Sequence, residues 1–158
     1  MIVRAATSED AATIAAIWNP QILDTVVTFN SVPKSDHEIA DLIAQRPCFL
    51  VVETEGKTVG FASYDQFRDG IGYAHAMEHT IILAPEASGR GAGRELMRAL
   101  MDHPRAAAVH TLWAGVSAEN SAGVAFHSAL GFKTVAVLPE VGRKFERWMD
   151  LVLMQKRL

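Results

Sequence analysis

The run Ser88-Gly89-Arg90-Gly91-Ala92-Gly93-Arg94 constrains this chain more than any other. It follows a β-like stretch over residues 80–83. It opens a segment with helical spacing, in which Leu96 and Leu100 fall four apart on one face. The first amides of a helix have no intrahelical partner and point outward. Glycine lets a phosphate come close to them, and the helix dipole favours its negative charge. Arg90 and Arg94 can add charge-assisted contacts. A tight turn without a ligand is the alternative. The run is not a Walker A loop, because no Gly-Lys-Ser/Thr follows. A Rossmann reading also fails: the glycines come late, with no acidic ribose ligand after a second parallel strand.

Short β-like runs and helical segments alternate on both sides of this turn, which predicts one α/β (α+β) domain over residues 1–158. Residues 2–5 read as a strand. Thr7 and Asp10 form a capping pattern for a helix over residues 8–18, which Pro20 is expected to end. Ser35 and Glu38 cap a second helix with Ile39, Leu42 and Ile43 on its apolar face, stopped before Pro47. Residues 49–53 and 58–65 read as a hairpin turning at Glu55-Gly56-Lys57. A longer strand is expected over residues 73–83, closed by Pro85. Then come a helix over 91–101, a strand over 109–116 and a helix over 121–130 with Gly131 as its cap. Residues 135–138 and 145–154 read as a terminal β pair.

Composition excludes several classes. A chain of 158 residues with 49% hydrophobic residues can bury one core. A net charge of -3 argues against nucleic acid as the main partner. No apolar run is long enough to span a bilayer, and the first residues do not read as a signal peptide. The one cysteine, Cys48, precedes an apolar run and reads as a strand-edge or core residue; it allows no intramolecular disulfide. A cytoplasmic protein is the expectation. His75 and His79 are four apart, but on a strand that is roughly 13 Å, too far to share an ion, so no metal is expected.

The order strand, glycine-rich turn, helix, strand, Asn120, helix, Gly131-Phe132 resembles the GNAT acetyltransferase superfamily. Its turn pattern is Gln/Arg-x-x-Gly-x-Gly/Ala, matched here by Gly91 and Gly93, with Ser88 standing where Gln or Arg is usual. Further runs narrow the likeness: Thr25 to Phe29, Phe67-Arg68, Glu78-His79-Thr80, Asn120 to His127, and above all Lys144-Phe145-x-Arg147-Trp148-x-Asp150. Over nearly the whole chain these resemble the phosphinothricin and methionine sulfone/sulfoximine N-acetyltransferases.

The resemblance implies a GNAT fold, a mixed central sheet with helices on both faces, and acetyl-CoA as cosubstrate. It implies a small amino-acid-like acceptor and a homodimer. Ser88 to Arg94 would hold the pyrophosphate, Ile81, Ile82 and Leu83 the pantetheine arm, with one of their amides donating to the thioester oxygen. Asn120 would bind pantetheine or cap its helix. Glu78 stands where the family places its general base; a solvent-facing edge glutamate is the alternative. His127, four residues before Gly131, would protonate the leaving thiolate, or else fill space. Arg68 would meet the acceptor carboxylate, with Phe29, Tyr73, His79, Thr80 and Trp148 around it. Two other readings stay open: acetylation of peptide N-termini, and a CoA-binding regulatory module without catalysis.

Overall fold

The computed structural model describes the backbone of residues 1–158 and every side chain other than that of Pro104. Seven strands form one mixed sheet in the order β1-β2-β3-β4-β5-β7-β6. They are β1 (Ile2–Ala5), β2 (Cys48–Thr54), β3 (Lys57–Gln66), β4 (Ala76–Leu83), β5 (Thr111–Ser117), β6 (Lys133–Lys144) and β7 (Arg147–Arg157). All neighbours run antiparallel except β4 and β5, which are parallel. Helices cover both faces. On one, α1 (Ala11–Asp24) and α2 (Asp36–Gln45) bury Ile14, Trp18, Ile22 and Ile39 against Phe49, Val51, Phe61 and Ile82. On the other, α3 (Ala92–Asp102) lays Leu96, Met97 and Leu100 over Leu50, Ala62 and Leu112, with α4 (Ser121–Ala129) beside it.

Local chemistry explains most of these elements. Ser35 accepts from the Glu38 amide at 3.1 Å and Glu38 reaches back to the Ser35 amide at 3.4 Å, so the expected capping box starts α2. Thr7 and Asp10 make a second box. Asp10 also takes two hydrogen bonds from the Arg4 guanidinium, at 2.8 and 2.9 Å, which tie β1 to the helix start. Burial pushes the Cys48 thiol up to about 11, consistent with a core residue.

Three expectations need correction. Pro20 does not end the first helix; α1 runs on to Asp24. Proline in a helix interior costs about 3 kcal/mol. Burying a large apolar side chain returns about 1.5–3 kcal/mol, and the row Ile14, Trp18, Ile22 continues through Pro20 into the core. The strand expected from Tyr73 begins at Ala76, because β3 offers its last partner at Gln66–Met77, and residues 71–73 form a single 3-10 turn. The terminal pair is longer than the sequence suggests. Pro139, Glu140 and Val141 are absorbed by a bulge between Leu138 and Gly142. The tight turn at Phe145-Glu146 takes two positive φ angles, 52° and 60°, without glycine.

Replacing Ser35 by alanine removes one half of the capping box. It should cost about 1 kcal/mol, read as a lower urea midpoint with an unchanged m value.

Candidate active site

The parallel ladder between β4 and β5 pairs only Ala76–Thr111, Met77–Leu112 and Glu78–Trp113. Beyond Glu78 the strands part. β4 keeps β3 as its other neighbour, so alternate peptide groups from His79 to Leu83 face the gap. Gly115 on β5 lets the gap reach Glu78: a Cβ there would lie 3.1 Å from Glu78 Oε2.

Two connected clefts occupy the gap. The first, about 320 Å³, lies at the Glu78 end and is walled by Trp18, Val27, Thr28 and Phe29 as well as both strands. The second, about 310 Å³, runs past Ile81, Ile82 and Leu83 to Ser88, with Asn120, Gly123 and Phe126 opposite. Val27, Ile81, Ile82, Asn120 and His127 border both. The glycine-rich turn closes the far end. Gly89 and Gly91 take φ of 74° and 84°, and nothing approaches the space where their side chains would be. Gly91 leads into α3, whose first amides are therefore presented to the turn. Ala92 and Gly93 are buried and contribute backbone alone, Phe126 lying 3.1 Å from a Cβ at Gly93. Arg90 and Arg94 are exposed beside them. This cradle suits a diphosphate, and the unpaired β4 edge suits an amide-bearing arm; the residues present fit acetyl-CoA. Asn120 accepts from the Gly123 amide at 2.9 Å, so it caps α4 while its side chain borders both clefts.

Glu78 opens onto the first cleft and stays accessible to solvent there, with walls that partly desolvate its carboxylate. That desolvation raises its pKa, and the Arg46 guanidinium opposes the rise. Arg46 donates to Ser63 Oγ at 2.6 Å, on the sheet face that also carries Glu78, and lies 5.9 Å from the Trp18 ring centre.

His127 is buried between the clefts. Its Nδ1 lies 2.7 Å from the Gly123 carbonyl, so Nδ1 carries the proton and donates. Its Nε2 lies 2.9 Å from Nε2 of the buried His79. In the neutral pair, His79 therefore donates and His127 accepts. A proton on His127 Nε2 is accommodated by reversing that bond. Burial lowers the pKa of both imidazoles, and in His79 the neighbouring His127 adds to it.

Phe29, Glu78, Thr80, Ile81, Ile82, Asn120 and His127 thus come together as the sequence suggested. His79 borders the cleft too, but its hydrogen bond is to His127. Arg68 and Tyr73 do not join the site. They sit on the exposed β3–β4 connection, with the guanidinium 5.3 Å from the Tyr73 ring centre. Trp148 is also exposed and stacks on Arg143. Sequence reasoning missed Trp18, which reads as one more apolar helix residue, and Arg46, which carries no local signal. Among the described residues no group of three or more His, Cys, Asp or Glu side chains could hold a metal ion, and no helix is long and apolar enough to cross a membrane.

The pattern of the acetyltransferase (GNAT) domain matches residues 3–153. This chain belongs to the GNAT acetyltransferase family. It is 36% identical, over its full length and 94% of the relative, to the L-amino acid N-acyltransferase MnaT of Escherichia coli (strain K12). It is 35% identical, over its full length and 95% of the relative, to the L-methionine sulfoximine/L-methionine sulfone acetyltransferase of Salmonella typhimurium. In structure it resembles the Salmonella typhimurium acetyltransferase yncA, solved with its cofactor acetyl-CoA. The TM-score is 0.95 at 33% identity, covering 100% of this chain and 94% of that one.

Two titrations follow from the geometry. A carboxyl with a raised folded pKa stabilises the fold fully below its unfolded value of 4.5 and loses that contribution as pH rises through the folded value. Glu78→Gln should therefore melt higher than the wild type at pH 7, with the gain fading below pH 4.5; an equal or lower melting temperature at pH 7 would contradict the raised pKa. The imidazoles have the opposite sign. Their folded pKa values lie below 6.5, so their contribution is present above that pH and lost as pH falls. Melting should drop from pH 7 toward pH 5, and His79→Phe should make the drop shallower.

Proposed function

We propose that this enzyme transfers the acetyl group of acetyl-CoA to the α-amino group of a small amino-acid-like acceptor, of the methionine sulfone, methionine sulfoximine or phosphinothricin type. The observation that carries the reading is the position of Glu78: a carboxylate at the parting of β4 and β5, facing a cleft of about 320 Å³ that suits one small molecule. The names of the relatives, which describe acylation of amino acids, support it.

Acetyl-CoA supplies the activated thioester. Glu78 takes a proton from the acceptor's ammonium group, whose ordinary pKa is about 8, directly or through a water. The freed amine lone pair attacks the thioester carbon and the C–N bond forms; the C–S bond then breaks as the nitrogen gives up its second proton, which the departing thiolate gains. A raised pKa suits Glu78 to this work, because it makes the carboxylate a stronger base. An amide of the unpaired β4 edge, in residues 81–83, donates to the oxygen that gains charge. His127, whose unprotonated Nε2 can take up a proton by reversing its bond to His79, is assigned the relay of that proton to the departing thiolate. The second cleft and the Ser88–Arg94 turn are assigned the pantetheine arm and the pyrophosphate.

Arg68 lies on the β3–β4 connection away from the cleft, so the acceptor carboxylate is assigned to the first cleft without it. We also propose a homodimer in the cytoplasm. Exposed Val135, Val137 and Val141 on the edge strand β6 support a self-association surface, and gel filtration at the monomer mass would refute it.

Thiol release from acetyl-CoA is the test, run against L-methionine sulfone, L-methionine sulfoximine, L-phosphinothricin, ordinary amino acids, spermidine and a short peptide. Turnover should be confined to amino-acid-like compounds; turnover with the peptide alone would move the acceptor to protein N-termini. Glu78→Gln should lose about 100-fold or more in kcat while acetyl-CoA binds as before by calorimetry. Full activity in that variant would remove Glu78 from the base role.

A further inference from the structure

The run Lys144-Phe145-x-Arg147-Trp148-x-Asp150 is the most specific sequence signal in the chain, yet none of its charged side chains borders either cleft. Its side chains have other partners. Asp150 Oδ1 accepts from the Glu140 amide at 2.9 Å, in the bulge of β6. Arg147 pairs with Glu119, the neighbour of Asn120. Lys144, buried to 4% exposure, donates from Nζ to the Thr28 carbonyl at 2.7 Å across 116 residues of sequence.

That last bond has no equivalent in the loop it holds. Residues 25–30 carry Val27, Thr28 and Phe29 into the wall of the first cleft. Among the described residues, their other hydrogen bonds are local. Thr25 Oγ1 donates to the Gln21 carbonyl, the Val27 amide donates to Thr25 Oγ1, the Asn30 amide donates to Thr28 Oγ1, and Asn30 Oδ1 accepts from the Val32 amide. Two residues before Lys144, Gly142 is buried directly against the Phe29 ring: a Cβ built there would overlap the ring's edge. Gly142 lies outside the left-handed region, so the ring, not the backbone, is what requires glycine.

We propose that Lys144 and Gly142 are positioning residues for the acceptor site. The terminal hairpin clamps the 25–30 loop at one carbonyl and one ring, and so fixes the wall against which the acceptor's side chain packs. Acceptor recognition is thereby set from β6, while the acetyl-CoA cleft, built mainly from β4, the glycine-rich turn and α4, meets the clamped loop only at Val27. This rests on the assignment of the first cleft to the acceptor.

The experiment compares full-length wild type, Lys144→Met and Gly142→Ala. It measures kcat and KM for L-methionine sulfone, acetyl-CoA affinity by calorimetry, and amide hydrogen exchange resolved to residues 25–30. Losing one charge-assisted bond to the loop should raise KM by about tenfold in Lys144→Met, with acetyl-CoA affinity unchanged and faster exchange confined to the loop. Gly142→Ala should do the same, and adding Phe29→Leu to it should slow the loop's exchange again by removing the overlap. Unchanged KM with unchanged loop exchange overturns the proposal. So does a loss spread over acetyl-CoA affinity and exchange of the whole sheet, which marks Lys144 as a general stabiliser. A Lys144→Met chain that does not fold counts with that result unless Gly142→Ala shows the confined effect. If wild type leaves every acceptor in the panel untouched, the proposed function falls, and loop exchange alone decides the clamp.

Discussion

The parallel ladder of β4 and β5 stops at Glu78–Trp113, and everything chemical in this protein depends on that stop. A continuous ladder would satisfy the backbone and leave no opening. Because the strands part, one edge of β4 offers peptide groups to a ligand, and both faces of the sheet become connected through the gap. Alternation along β4 then sorts side chains by face. Glu78 and Ile82 look toward α1 and α2, while His79 looks toward α4 and meets His127. The two clefts thus meet at one point along β4.

Electrostatics at that point is a balance between burial and one cation. Burial raises the Glu78 pKa, and Arg46 holds the rise in check. Asp65 pairs directly with Glu78 across β3 and β4, a like-charge neighbour that Arg46 also faces. Arg46 is itself fixed by Ser63, with its Nε buried and unpartnered among the described residues. The His79–His127 pair is a second buried polar unit, in which the Gly123 carbonyl sets the tautomer. Such groups cost folding free energy. Their place at the junction of two clefts gives that cost a functional reason.

The terminal hairpin of β6 and β7 supplies the frame around this centre. β7 fills the sheet beside β5, and β6 adds the outer edge. From that hairpin Lys144 and Gly142 reach the loop after α1, and Arg147 reaches the loop before α4. Both walls of the opening are therefore tied to one rigid ribbon whose tight turn needs two left-handed residues, Phe145 and Glu146.

Local chemistry alone made the glycine-rich turn, the capping boxes and the strand–helix order legible, because each is a demand that a few neighbouring residues place on their own backbone. Gly89 and Gly91 do take left-handed angles, and α3 does start at Ala92. Glu78, His127 and Asn120 were legible as candidates through family likeness, and the structure places all three at the first cleft. Tertiary structure decided the rest. Pro20 sits inside α1 because a distant core holds Ile22. Arg68 and Tyr73 fall outside the cleft because β3 runs out of partners at Gln66. Arg46, the His79–His127 bond and the Lys144 clamp join residues 17 to 116 positions apart. No local pattern encodes such meetings; they exist only once burial has paid the entropy of bringing the segments together.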